Sequence, residues 1–412
     1  MITLVALPFQ IKELTNSYLA VGLISAVELV PLIIFGLYGG VLADRYDRKK
    51  LIWFSELAAL LLVSALLLNS ILERPSLLAI YIIAALFSAV DGIQRPSSNA
   101  ILPRLVDHAD LPSANALMSL RWQLGVILGP SIGGLLIATY SVSHGYFIDG
   151  ITFIFSLLLL ARVRNIPPLN KSNKSMNNST NDSANNSEEK NAEKPAISAL
   201  FEGIRYAFSR KDLLGTYLID LAAMFFAMPN ALFPFWAEQI DADWSLGLFY
   251  AAGTVGSVIV TLTSGWISRY RFHGRAIIWA AIGWGAAIAL SGLFQSVWLV
   301  LFFLAAAGAS DMISALFRTA IWNQTIPDEL RGRLAGIELL SYSIGPLTGQ
   351  LRAAMIASAT SLTFSVTSGG ISCVIFVALL AGLLPTFRKY DVETNEFAIR
   401  EREIRKNQGL DS

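Results

Sequence analysis

Charge is scarce in this chain. Asp, Glu, Lys and Arg make up 15% of its 412 residues, against about 25% in soluble proteins, so the surface of two or three soluble domains cannot be furnished. The one cysteine, Cys373, lies inside an apolar run. That excludes an internal disulfide framework and argues against a cysteine-based metal site. The three histidines, His108, His144 and His273, are scattered near predicted loops without paired ligand spacing. No Gly-x-x-x-x-Gly-Lys phosphate loop occurs. The residues therefore point to no metal, no cofactor and no enzyme, and without an ATP-binding domain any transport must run on an ion or solute gradient. A net charge of +1 offers no field for nucleic acid. Met1 leads into apolar sequence with no basic stretch before it, so no cleavable signal peptide is expected.

What the chain has instead is hydrophobic length. Hydrophobic residues make up 54%, the mean hydropathy is +0.55, and apolar runs of about 18 residues or more recur, each able to cross a bilayer. Spans are predicted at 18–43, 51–70, 77–97, 114–138, 144–163, 212–237, 245–268, 276–294, 297–318, 334–356 and 362–384. Residues 1–11 are apolar but stop at Lys12-Glu13, about half of a spanning helix. The expectation is an all-α membrane protein with eleven full spans and a truncated first helix. Either the true start lies upstream of Met1 or the first half of helix one is missing.

The loops alternate in charge. On one side lie Arg45, Arg48, Lys49 and Lys50, then Arg104, Arg162, Arg164, Arg269, Arg271, Arg275, Arg331, Arg333 and the cations of the tail. The other side carries Lys12 and Arg74, with Arg352 near a helix end. Lys and Arg in short loops mark the cytoplasm, which places the linker, the charged tail at 386–412 and the C-terminus inside. Residues 165–197 are rich in Asn, Ser, Lys and Glu and cannot bury enough apolar surface to fold. They are predicted to be a disordered cytoplasmic linker between an N-terminal half, 1–164, and a C-terminal half, 198–385. An interfacial helix is predicted at Ser198–Lys211, where Leu200, Phe201, Ile204, Tyr206 and Phe208 lie among polar neighbours.

Weak internal repeats support the division. Val21-Gly22-Leu23 and Gly40 match Leu246-Gly247-Leu248 and Gly265 at a constant offset, and Gly129-Pro130 with Gly133 recurs as Gly345-Pro346 with Gly349. Two six-helix halves built this way occur in transporters whose site lies between the repeats.

Ionisable residues inside spans are costly and usually face a cavity. Glu28, Asp91, Asp149, Asp220, Asp311 and Glu338 are the acids, with Arg95, Arg121, Arg318 and Arg352 as counter-charges. Asp91 with Arg95 and Asp311 with Arg318 are expected as charge pairs near the inner side. Glu28 and Asp220 lie deeper, and with Asp149 and Asp311 they form the candidate proton or substrate site. A carboxylate held away from water can cycle a proton; the choice among the four stays open. The aromatics Phe225, Phe226, Phe233, Phe235 and Trp236 could line a cavity for an aromatic, amphipathic solute, although lipid-facing or interfacial placement is expected for most.

The stretch Gly40-x-x-x-Asp44-Arg45 followed by Arg48, Lys49 and Lys50 resembles the loop between helices two and three of the major facilitator superfamily. Asp47 stands where that family has glycine. The resemblance implies the major facilitator fold. It also implies a latch in which Asp44 faces the positive amino end of helix eleven, near Arg333, while the inner side is closed. Gly125, Gly129, Pro130, Gly133 and Gly134 resemble the family's antiporter signature, with Ala116 in place of an upstream glycine. Further stretches, Val5–Ile11, Gly39–Lys50, Glu73–Tyr81 and Leu248–Ala252, are similar to the branch of bacterial exporters that carry the siderophore enterobactin.

Together these imply a multi-pass protein of the inner (plasma) membrane that exports a small organic molecule by proton antiport. Its partners would be that molecule, protons, the lipid bilayer and a periplasmic or outer-membrane efflux component. A siderophore is the first substrate expected. A multidrug or macrolide-type efflux pump is the alternative, and a membrane sensor or scaffold that has lost transport is a third reading.

Overall fold

In the computed structural model the described residues are 1–102, 105, 106, 110–163, 205, 206 and 208–407. They are helical throughout, with no strand among them. Among the described residues ten helical stretches are long and apolar enough to cross a membrane, with Lys211–Gln239 counted as one.

The first part of the chain runs through α1 (Thr3–Thr15), α2 (Tyr18–Arg45), α3 (Arg48–Ser70), α4 (Leu77–Ile101), α5 (Leu111–Thr139) and α6 (Val142–Ala161). The second runs through α7 (Lys211–Phe226), α8 (Phe233–Gln239), α9 (Leu246–Leu262), α10 (His273–Ser291), α11 (Val297–Thr325), α12 (Asp328–Ala359) and α13 (Leu362–Leu383). Two short helices follow, α14 (Pro385–Arg388) and α15 (Glu396–Asn407).

Local chemistry sets the boundaries. Asn16, in the left-handed region at φ 46°, ends α1, and Ser17 accepts a hydrogen bond from the Ala20 N–H (3.3 Å) to start α2. Ser76 and Ser361 cap α4 and α13 in the same way. At the α2–α3 turn, Asp47 accepts from the N–H groups of Lys49 (2.9 Å) and Lys50 (3.3 Å). Its φ of −60° needs no glycine, so the acid replaces the family's turn residue with an N-cap.

Several expected spans differ in extent. The predicted span 212–237 is broken: α7 stops at Phe226, a 3₁₀ turn covers Asn230–Leu232, and α8 resumes at Phe233. Pro229 is the cause, because it has no N–H to offer the carbonyl four residues back. The span expected to reach 268 ends at Leu262 and continues as a 3₁₀ turn over Ser264–Arg269, whereas α11 runs seven residues past the expected 318.

Early helices pack on one another, α2 on α4 and α3 on α4 and α6; late helices do likewise, α9 and α10 on α11, α10 on α13, and α7 on α12 and α13. The two groups meet along α2 with α12 and α5 with α9. The α1–α2, α3–α4, α5–α6, α8–α9, α10–α11 and α12–α13 turns share one end of the bundle, called here the turn end.

The charged C-terminal stretch is folded onto the bundle at the opposite end. Phe387 and Tyr390 are buried. Arg271 donates to Asp391 (2.7 Å) and pairs with Glu393 (2.8 Å). The Phe397 ring lies against the Arg210 guanidinium, 3.3 Å from its centroid. The Arg271 guanidinium holds the Asp391 carboxyl below the usual carboxylate range. Of the expected interfacial helix, Arg205, Tyr206, Phe208 and Ser209 are helical; residues 198–204 and 207, like the predicted linker, lie outside the described residues.

A central cavity and its ion network

A cavity of about 250 Å³ lies between the two groups of helices. Early helices contribute Leu4, Val126 and Pro130. The broken stretch between α7 and α8 adds Met228, Pro229 and Asn230. The remainder of the wall comes from α8, α9, α10 and α11, including Phe233, Tyr250, Trp284 and Asp311. Apolar and aromatic walls with a few convergent polar groups are the usual form of a small-molecule site. The Tyr250 hydroxyl donates to the Asn230 carbonyl (3.1 Å), fixing that part of the wall. The Trp284 indole N–H is buried without a hydrogen-bond partner among the described residues. Asp311 is the one charged residue among the described lining residues.

Asp311 belongs to a network. Arg318 stands seven residues further along α11, two turns on and so on the same face. Its guanidinium contacts Asp220 of α7 directly and lies 3.8 Å from the Asp311 carboxylate. Ser341 of α12 donates to Asp220 (3.1 Å). Asp220 and Arg318 are 6% and 3% exposed, while the Asp311 side chain is 37% exposed. The expected Asp311–Arg318 pair is therefore subordinate. Arg318 belongs first to Asp220, which deep burial and direct contact make a structural partner, and the cavity-facing acid is Asp311. The sequence pattern missed this because Asp220 comes from a different helix.

The other candidates are placed apart. Asp149 is buried at the start of α1, accepting from the Thr3 N–H (3.1 Å) and the Thr3 hydroxyl. That satisfies one orphan donor of a helix N-terminus, and the cavity does not include Asp149 among its described walls. Glu28 is half-buried on α2, packed against α4, where the Ser88 hydroxyl donates to its backbone carbonyl (2.7 Å). Asp91 on α4 pairs with Arg95 at 2.6 Å with both side chains partly exposed. Phe233, Phe235 and Trp236 are buried, against the expectation of lipid-facing or interfacial placement for most of the helix-seven aromatics. They pack inside the bundle, Phe235 against Tyr18 and both Phe233 and Trp236 against Phe249.

At the turn end the two groups close on each other. Lys12 pairs with Glu238 (2.9 Å), and the Tyr18 and Phe235 rings are 4.3 Å apart. Gly134 on α5 and Gly247 on α9 meet backbone to backbone, so that a Cβ on either would collide with the other helix. Within the expected antiporter motif, Gly133 packs on Ile2 and Pro130 lines the cavity, while Gly125 has nothing near its Cβ position among the described residues. Gly39 faces Gly92 on α4. Lys49 reaches the Ala161 carbonyl (3.4 Å), and Arg48 begins α3. The side chains of Asp44, Arg45 and residues 328–340 lie outside what the structure describes, so the latch has no geometry here.

A polytopic helical bundle with a solute-sized cavity between two helix groups, and a charge network on its wall, defines a membrane transporter rather than an enzyme. Residues 1–283 match the Major Facilitator Superfamily, and the chain belongs to that family. Among curated relatives it is 28% identical over 388 residues to the enterobactin exporter EntS of Shigella boydii serotype 18, covering 94% of this chain and 88% of the relative. The EntS protein of Escherichia coli O81 is 27% identical over the same share of each. Solved structures share the fold. The inward open xylose transporter XylE from E. coli superposes with a TM-score of 0.67 at 14% identity, over 98% of each chain. A point mutant of the nucleoside transporter NupG gives 0.69 at 11% identity, over 93% of this chain and 94% of that one.

Proposed function

We propose that this protein is an exporter that moves a small organic molecule, in the first instance a siderophore, out of the cytoplasm in exchange for protons. The observation that carries it is Asp311. It is partly exposed on the cavity wall, and its nearest cation is already committed to Asp220. A carboxylate in that position can hold a proton or a cationic group of the solute, and the Arg318 contact gives each state a different energy. The siderophore reading follows from likeness to proteins named enterobactin exporters over 94% of the chain. Two helix groups around the cavity, divided at 165–197, are read as the halves that rock about it. The cationic loops favour a periplasmic turn end, and on that reading the closed contacts there belong to a state facing inward, in a protein of the inner membrane.

One observation favours a second substrate class. The sole charge among the described cavity walls is negative, which suits a neutral or cationic drug-like solute better than an anionic catecholate. Secretion separates the two. A strain lacking the gene, grown in low iron, should retain siderophore and secrete less. Unchanged secretion with altered drug tolerance would leave the efflux reading in its place.

A further inference from the structure

Helix seven is broken where it meets the cavity, and one side chain from another helix holds the break. In a continuous helix, residue 229 would donate to the Phe225 carbonyl and residue 230 to the Phe226 carbonyl. Pro229 has no N–H, and the 3₁₀ turn at Asn230–Leu232 redirects the chain. The last intact bond of α7 at the break is from Ala227 N–H to the Ala223 carbonyl (3.0 Å), and the next begins at Leu232, which donates to Pro229 (2.8 Å). The two orphaned carbonyls accept from Arg352 on α12, Phe225 from Nε (3.0 Å) and Phe226 from Nη2 (2.5 Å). Two parallel donors at fixed spacing are what the guanidinium fork supplies and an ammonium cannot.

The approach is built into the helices on either side. Gly345, Gly349 and Arg352 fall on one face of α12. A Cβ on Gly349 would strike the Met224 carbonyl, and one on Gly345 would lie 2.9 Å from the Met224 side chain. On α13, Gly369 leaves the space that the guanidinium fills, since a Cβ there would lie 2.6 Å from Nη2 and 2.5 Å from the Phe226 carbonyl. The pinned end continues into Met228, Pro229 and Asn230 on the cavity wall. Beyond them α8 carries Phe235 and Glu238, which close the turn end against Tyr18 and Lys12.

We propose that Arg352 is the positioning residue of a hinge at 227–229, anchoring the end of α7 so that movement at the cavity wall swings α8 and opens or closes the turn end. This rests on the transport reading. The anchor replaces two backbone hydrogen bonds with charge-assisted ones, leaving the residues between free to change their backbone angles while α7 keeps its place.

The test uses the full chain with Cys373→Ser, carrying spin labels at Leu72→Cys and Gln239→Cys, exposed positions at the turn end on opposite helix groups. Arg352→Lys keeps the charge and loses the fork. It should broaden the interlabel distance distribution and lower export turnover roughly tenfold, about the worth of one charge-assisted hydrogen bond, with the apparent affinity for solute unchanged. Pro229→Ala restores an N–H for the Phe225 carbonyl, so adding Arg352→Lys to Pro229→Ala should shift the distances less than it does alone. Equal shifts in the two backgrounds, or a distance distribution in Arg352→Lys identical to the parent's, would overturn the proposal. The distances need no solute, so a hinge effect without transport of any substrate would count against the exporter reading and leave the hinge standing.

Discussion

Arg318 serves two acids unequally, touching Asp220 across the helix interface and standing 3.8 Å from Asp311 on its own helix. One cation between a buried and a partly exposed carboxylate separates their roles. The buried pair holds α7 to α11, and the exposed acid is left to meet the cavity.

Substitution should separate them. Asp220→Asn leaves Arg318 buried without its direct counter-charge, a loss of about 3–5 kcal/mol for a buried pair, and is expected to reduce membrane abundance and melting temperature. Asp311→Asn leaves the Asp220 contact in place, so abundance should hold while coupled transport is lost. Quantitative blotting with an expression-normalised transport assay reads both. Equal abundance losses would contradict the assignment.

Closure at the turn end includes, beside the Lys12–Glu238 and Tyr18–Phe235 contacts, a meeting of two glycines. Because α5 and α9 touch backbone to backbone at Gly134 and Gly247, Gly134→Val must push the helices apart, exposing the cavity from that side and impairing transport. Gly125→Ala, with open space at its Cβ position, should be tolerated. Thiol labelling of a cysteine placed on the cavity wall, measured from the turn-end side, checks this; equal labelling in Gly134→Val and the parent would count against the contact as a gate.

The α2–α3 turn makes a different kind of prediction. Asp47 works as an N-cap at φ −60°, so Asp47→Ala should cost about 1 kcal/mol, and Asp47→Gly only a few tenths. Thermal melting in detergent distinguishes them. If glycine proved as harmful as alanine, the carboxylate would be serving something beyond the cap. At Asp44, whose side chain lies outside the described residues, the latch remains a proposal: Asp44→Asn should impair transport per molecule without lowering abundance.

Docking of the tail should respond to acid. The Arg271 contact holds the Asp391 carboxyl below its ordinary range. The stabilisation is therefore fully present above the unfolded carboxylate's pKa, about 3.9, and is lost as the pH falls through the lower folded value. Limited proteolysis of the tail should be flat across neutral pH and rise in strong acid, and Asp391→Asn should show the raised cleavage at every pH. Cleavage that changed between pH 6 and 8 would place the control elsewhere.

How far the chain could be read from its residues depended on the range of each interaction. Length and hydropathy carried the helices, because a bilayer demands about 20 apolar residues whatever the packing. Family membership followed from Gly40, Asp44 and the cations after it, a local pattern. Sequence separation hid the rest. Asp220 finds Arg318 across 98 positions and Ser341 across 121. Pro229 was visible, but a proline in a membrane helix can kink it or end it, and only the approach of Arg352 shows how its break is satisfied. Asp149 looked like a site because it is an acid inside a span; it is spent on the start of α1.

In the proposed mechanism solute export is exchanged for protons through Asp311. Everted inner-membrane vesicles test it directly, with the lumen acidified by respiration and the gradient followed by the fluorescence of a pH-sensitive acridine. Adding a catecholate siderophore, or a member of a lipophilic-cation panel, should release the quench in vesicles holding the parent protein. The release should vanish with Asp311→Asn at equal abundance. Solute uptake that proceeds equally with the gradient collapsed, or a full release in Asp311→Asn, would rule out proton exchange through this acid.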